Sequence, residues 1–378
     1  MRYLCLTCLL LLTLGANAQK RFVYLNNQDQ PNNITGWLIN NSTGSLTPLA
    51  GSPFNTGGQG ASGPIESMAI AHTENGDVLY AANGGDPSVS ILRINPGTGN
   101  LMPIGASPFL LNDSIGTFDM AISPNHHLLF ATNDSGTVIH VLAVSQENGA
   151  LKEVAGSPFP AGDNMSGLWV TANGKFLLAS GQTHNAVSVF AIASTGAISP
   201  VPGSPFAANA SVSDVRSNCA NDRVFTADNG SAYIDAYSLA PNGALTPVPG
   251  SPFYNGATGT GPNSFDLAIA PNGRFVFTTD SFSTDITSFA VAADGALSQA
   301  PGSPYSTGGW LGGTAITNRG DYLYSVSFAD GSVNGEAIHP DGSLTLVGSF
   351  SSGQISPNGE PNSVIAYPAM TCPTAAAQ

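Results

Sequence analysis

The feature that most constrains this chain is a phrase that keeps returning. Gly-Ser-Pro-Phe stands at 51–54, 156–159, 203–206 and 250–253, Ala-Ser-Pro-Phe at 106–109, Gly-Ser-Pro-Tyr at 302–305 and a shortened Gly-Ser-Phe at 348–350. Ahead of each copy lies a second marker, a Gly, a small or polar residue, then Leu or Ile. It begins at Gly44, Gly99, Gly149, Gly196, Gly243, Gly295 and Gly342, at spacings of 55, 50, 47, 47, 52 and 47 residues. A third marker follows, an apolar run closed by a turn, as in Phe118 to Asn125 and Phe265 to Gly273. Self-similarity at this period means a solenoid, a propeller or an array, and it decides the fold before any single residue does.

Within one period the pattern is that of strands. The fifth unit reads as strands over 264–270, 274–279, 285–291 and 296–300, with Pro271-Asn272-Gly273 and Ala293-Asp294-Gly295 as turns. Asn-Gly and Asp-Gly between alternating runs are strong short hairpin signals, because such turns need positive φ. Four antiparallel strands in each of seven units predict an all-β, seven-bladed β-propeller. The chain opens with strands over 21–26, 34–39 and 46–49 and ends with one more inner-type strand over 361–367, so the two ends are expected to complete one blade and leave no free edge at the seam. In the repeated phrase, Pro is expected to end the outermost strand, where a missing donor does no harm, and Phe to fill the wedge between blades. Its serine is read as scaffold rather than nucleophile.

The first eighteen residues are set apart from this domain. Met1-Arg2, an apolar run from Leu4 to Leu14 and the small residues before Gln19 form a secretory signal peptide cut after Ala18, and the run is too short to span a bilayer. The expected division is therefore signal peptide 1–18, propeller 19–370 and a short tail 371–378, in a secreted or periplasmic protein. Cys5 and Cys8 leave with the leader. Cys219 and Cys372 could pair, but two cysteines are no disulfide framework, and folding must rest on a buried core.

The formal net charge is −14, one unit more negative once Arg2 is gone, and Lys and Arg together number ten. Nucleic acid and anionic membrane surfaces both require a basic patch, so neither is an expected partner. An acidic surface is also a general solubility device of exported proteins. A monomer that binds a small lactone or a carbohydrate is expected.

Sites of a propeller gather where loops enter the inner strands and where second and third strands connect. At the inner-strand entrance stand Glu66, Asp119, Asp214, Arg216 and Asp266. Asp119 and Asp266 occupy equivalent places on the second and fifth inner strands, and are expected to face each other across the channel mouth, where they could hold a water or a divalent cation or else bond backbone amides nearby. No other cofactor is expected. Arg216 could polarise a carbonyl or pair with Asp214. In the second-to-third strand loops, Asp280 is a candidate for substrate binding, and His184, the histidine of that face, for a general base. His140, within 137–144, is expected to be a packed or surface strand residue. Gly58, Gly60 and Gly63 match Gly-x-Gly-x-x-Gly, but no helix follows and the dinucleotide reading fails. The chain holds no Gly-x-Ser-x-Gly, His-Glu-x-x-His, paired Cys-x-x-Cys or Walker loop.

The Gly-x-Leu and Gly-Ser-Pro-Phe pairs, with inner strands ending Ser-Pro-Asn or Ala-Pro-Asn-Gly, give the mature chain its likeness. It resembles the seven-bladed propeller lactonase family, best known for 6-phosphogluconolactonase, and more broadly the YVTN-type secreted propellers. The resemblance implies hydrolysis of a cyclic ester by His, Glu and Arg side chains at the channel mouth, types that His184, Glu66 and Arg216 could supply. Export and an acidic mouth favour a neutral lactone over a phosphosugar, which needs several cations. A propeller that binds a glycan, peptide or envelope partner without catalysis is the competing expectation.

Overall fold

The structure, a computed structural model, describes residues 19–61, 67–133, 137–256, 263–328, 330–353 and 363–372. The expected leader, Glu66 and the first two residues of the last predicted strand lie outside them. Seven blades stand around one axis. Their inner strands are Met68–Ala71, Thr117–Ile122, Met165–Val170, Ser211–Ser217, Ser264–Ile269, Leu311–Ile316 and Ser363–Tyr367, numbered here as blades 1 to 7. Each inner strand contacts the next, and that of blade 7 returns to that of blade 1. Blade 7 joins the chain's two ends: Ser363–Tyr367 pairs antiparallel with Phe22–Asn26, Phe22 opposite Tyr367 and Asn26 opposite Ser363. The expected closure is what is observed.

The Gly-x-Leu marker builds the turn from third to fourth strand. Gly99 and Gly149 have φ of 78° and 82°, and their carbonyls accept hydrogen bonds of 2.7 Å from the buried hydroxyls of Tyr24 and Tyr80 in the preceding blade. The turn thus ties one blade to its neighbour. Leu101, Leu151 and Leu245, which follow the glycines, are buried in the wedges. These wedges, rather than one central core, hold the apolar mass of the protein.

The blades carry one more element than the four strands expected. After the outer strand the chain turns through Ser-Pro and adds two residues to the third strand, as Phe159–Pro160 does beside Val138 and Ile139. One amide of the third strand falls between the two pairings, and the repeated serine accepts it. Val141 N donates to Ser157 Oγ at 3.0 Å, and the same bond runs from Gly36 to Ser52, Ile91 to Ser107, Val189 to Ser204, Ala236 to Ser251 and Ser288 to Ser303. A buried donor left unpaired costs about 1–3 kcal/mol, which accounts for the hydroxyl. Blade 6 shows the converse: with Gly-Ser-Phe and no proline, its outer strand runs unbroken over Leu344–Ser351.

Beyond the inner strand of blade 7, the chain crosses beneath the channel. Cys372 forms a disulfide with Cys219, in the turn after the inner strand of blade 4, with Cα atoms 5.3 Å apart. Blades 4 and 7 face each other across the ring, so residues 368–372 form a strap under the channel.

Candidate functional site

Every inner strand from blade 2 to blade 6 is interrupted near its entrance by a register shift, at Thr117/Met120, Met165/Gly167, Val212/Asp214, Ser264/Asp266 and Leu311/Thr314. A bulge bends the strand and re-aims a side chain. Asp119, Asp214 and Asp266 sit at these bulges; Asp266 lies against Asp214, and no hydrogen bond joins it to Asp119 among the described residues. Each turns toward the next blade and accepts a main-chain amide there: Leu168 N at 2.6 Å for Asp119, Leu267 N at 3.3 Å for Asp214, and Thr314 N for Asp266. The expected backbone-bonding role is present, but the amides come from neighbouring blades rather than nearby loop residues.

Two residues below, the register identifies one ring of equivalent positions. Ala69, Ala121, Trp169, Arg216, Ala268, Ala315 and Ile365 lie opposite Tyr80, Phe130, Leu178, Phe225, Phe277, Tyr324 and Tyr24 of the second strands. Trp169 and Arg216, on adjacent blades, depart from an otherwise small or aliphatic ring. The Arg216 guanidinium carbon lies 4.8 Å from the Trp169 ring centroid. Its Nε donates to Asp214 Oδ2 at 2.9 Å and its Nη2 to Asp266 Oδ1 at 3.4 Å, while Trp169 Nε1 donates to Ser217 Oγ at 3.0 Å. The guanidinium is fixed by a ring face on one side and two carboxylates on the other.

Burial shapes the charges. Desolvation pushes the Asp119 carboxyl up to about 6, against a hydrogen bond from Ser67, and neighbouring Asp214 adds to the rise. Asp266 is also held well above the ordinary carboxylate range, by burial and then by Asp214, with Arg216 acting the other way. Burial works against a charged Arg216, but Asp214, Asp266 and Asp119 outweigh it and keep the guanidinium protonated. Asp119 carries no ion pair among the described residues, and its carboxyl is the one of this group raised to about 6.

Two other sequence candidates stand apart. Asp280 is fully buried and accepts the amides of Asn263, Phe282 and Ser283, so it caps its loop. His184 is 66% exposed, its Nδ1 3.1 Å from Asp163 Oδ1, and it does not line the channel. Glu66 lies outside the described residues. His140 is buried between two carboxylates, Nδ1 2.9 Å from Glu153 and Nε2 3.0 Å from Asp113. No group of three or more His, Cys, Asp or Glu among the described residues could hold a metal ion. Trp169 is the site residue that sequence reasoning missed, and its signal was an aromatic at a position where most repeats carry Ala.

The cavity along the axis holds about 430 Å³ and is lined by the inner strands above and by Ala369, Met370, Thr371 and Cys372 below. On blades 4 to 6 the rings of Tyr233, Tyr254, Phe282 and Trp310 are exposed, paired as Tyr233 with Tyr254 and Phe282 with Trp310, and none of them lines the cavity.

These features define a seven-bladed β-propeller with an axial pocket open on one face. The resemblance read from the repeat is borne out: the family model for the seven-bladed β-propeller lactonases matches residues 15–166. No curated protein sequence matches the chain. Among solved structures, the periplasmic gluconolactonase of Pseudomonas aeruginosa is similar at a TM-score of 0.73 and 13% identity, covering 94% of this chain and 100% of that one. A Bacteroides uniformis protein with a provisional 6-phosphogluconolactonase assignment gives 0.73 and 16%, covering 92% and 99%, and a Lactobacillus plantarum protein gives the same values. At these identities the likeness to the solved structures is one of fold.

Proposed function

We propose that this chain is an exported hydrolase of neutral cyclic esters acting in the channel mouth. The observation that carries the reading is Arg216, held across Asp214 and Asp266 and against Trp169 in a ring otherwise made of Ala and Ile. A lactone carbonyl laid against the guanidinium meets a fixed cation where charge develops in the transition state. Asp119, ionised above about pH 6, takes a proton from the attacking water. The tetrahedral intermediate then collapses with cleavage of the ring C–O bond, and the proton passes to the departing alkoxide, giving a hydroxy acid. Among the described lining residues Arg216 is the one Lys or Arg, and its Nε and Nη2 are already taken up by Asp214 and Asp266, which supports a neutral lactone over a phosphorylated one. The Cys219–Cys372 disulfide supports export to an oxidising compartment.

Proton release from a panel of neutral and phosphorylated lactones tests the reading. The native chain is expected to turn over a neutral member, and Arg216→Ala and Asp119→Asn to lose at least a hundredfold while keeping the far-UV spectrum of a folded sheet protein. Background rates on every lactone would remove it. The two exposed ring pairs, Tyr233 with Tyr254 and Phe282 with Trp310, favour a second reading, a propeller that binds carbohydrate by stacking sugar faces on these rings. Calorimetry with neutral oligosaccharides, native against Trp310→Ala, decides that case.

A further inference from the structure

Below Arg216 the channel changes character. One residue further along each inner strand, the register gives Ile70, Ile122, Val170, Ser217, Ile269, Ile316 and Ala366, opposite Leu79, Leu129, Leu177, Val224, Val276, Leu323 and Val23. All seven line the cavity, and five are branched aliphatics. Beneath them the strap supplies Met370 and the disulfide, with Ser123, His126 and Thr371 as polar groups at the foot. The pocket is therefore graded: carboxylates at the entrance, one arginine against one tryptophan below, then an aliphatic collar and a floor.

A water inside such a collar has few hydrogen-bond partners and gives way readily to an apolar group. A compact sugar lactone seated at Arg216 would leave the collar unfilled. We infer that the substrate is a lactone bearing an unbranched alkyl or acyl chain, its ring at Arg216 and its chain running down through the collar to end against Met370. The inference rests on the hydrolase reading and specifies its substrate class. The charged groups stay beside the polar ring of the ligand, and the chain meets apolar walls. A cavity of about 430 Å³ is of the size that encloses a small organic molecule.

The experiment uses the full chain with γ-lactones carrying linear alkyl substituents from methyl to decyl. kcat/KM is expected to rise about fourfold for each methylene and to level off when the chain meets the floor. Met370→Trp raises the floor and moves the break to shorter chains. Cys219→Ser with Cys372→Ser unties the strap and moves it to longer ones. Turnover that is independent of chain length overturns the inference and leaves the hydrolase standing. If no lactone is opened, the corresponding alkyl γ-lactams are titrated by calorimetry. Affinity that rises with chain length supports the chain site while rejecting hydrolysis, and flat or absent binding overturns both.

Discussion

Arg216 lies with its guanidinium carbon 4.8 Å from the Trp169 ring centroid, although the two residues belong to different blades. Trp169 approaches from blade 3, and Asp266 holds the other side of the same guanidinium from blade 5. Three consecutive blades thus meet at one side chain. The catalytic proposal and the local stability of the ring both depend on it.

Replacing Arg216 by lysine keeps a positive charge but loses the planar fork and most of the stacking. Arg216→Lys is expected to fall at least tenfold in kcat/KM and to lose about 1–2 kcal/mol of stability. Arg216→Ala leaves Asp214 and Asp266 without their cation and should lose about 3 kcal/mol or more at pH 8, and less at pH 4, where Asp266, held well above the ordinary carboxylate range, is protonated. Urea unfolding at the two pH values reads both.

Asp119 should imprint a pH dependence. Its carboxyl titrates at about 6 in the folded chain and at about 3.9 when unfolded. The folded state therefore holds the extra proton, and stability is greatest below the unfolded value and falls as pH rises through the folded one. The loss between pH 4 and pH 7 amounts to about 2–3 kcal/mol, and Asp119→Asn is expected to abolish it. Lactone turnover should run in the opposite sense, rising with an apparent pKa near 6. An unchanged pH–stability curve in Asp119→Asn would contradict the assignment.

Glu336, in the third strand of blade 6, is 2% exposed and neither carboxylate oxygen has a hydrogen-bond partner among the described residues. Burial pushes its carboxyl up to about 8, so the folded chain keeps a proton that the unfolded chain gives up near about pH 4.3, and a penalty grows from there until pH passes about 8. Glu336→Gln should match the native chain near pH 4, exceed it by about 2 kcal/mol at pH 6 and by about 5 kcal/mol at pH 9.

The serine of the repeated phrase is assigned a bond rather than a reaction. Ser157→Ala strips the acceptor from Val141 N and should cost about 1–2 kcal/mol while leaving lactone turnover unchanged. The equivalent changes at Ser107 and Ser204 should behave alike. A loss of activity without loss of stability at any of them would contradict the scaffold role.

The disulfide closes a loop across 153 residues. Chain entropy places its contribution near 5 kcal/mol. Part of that contribution is shared with the pairing of Ser363–Tyr367 on Phe22–Asn26. A fall of about 2–4 kcal/mol in unfolding free energy is expected on reduction, measured by guanidinium titration with and without thiol.

Much of the architecture could be read from the sequence because a repeat announces itself without knowledge of contacts. The first strand of the fifth unit is expected over 264–270 and observed over Ser264–Ile269, and its third strand, Asp285–Val291, agrees at both ends. The seam was legible for a similar reason: an unpaired inner strand at one end and a blade lacking one at the other have a single economical solution. The candidate site was legible only in part. Asp214 and Arg216, two residues apart on one strand, were open to reading as an ion pair, and Nε lies 2.9 Å from Oδ2. His184 and Asp280 had suitable types and suitable loops, yet one faces solvent beside Asp163 and the other is spent on backbone amides.

By itself the sequence determined the period, the strand pattern within each period and the number of blades, since these follow from local turn chemistry and alternation. Tertiary structure alone decided which inner-strand side chains share a ring, why the repeated serine is needed, and that the C-terminal strap passes under the channel to Cys219. The physical reason is distance along the chain. Asp119 meets an amide 49 residues away, and Asp266 one 48 residues away. Contacts of that span are set by how blades pack and by the bulges that aim their side chains, not by the residues on either side.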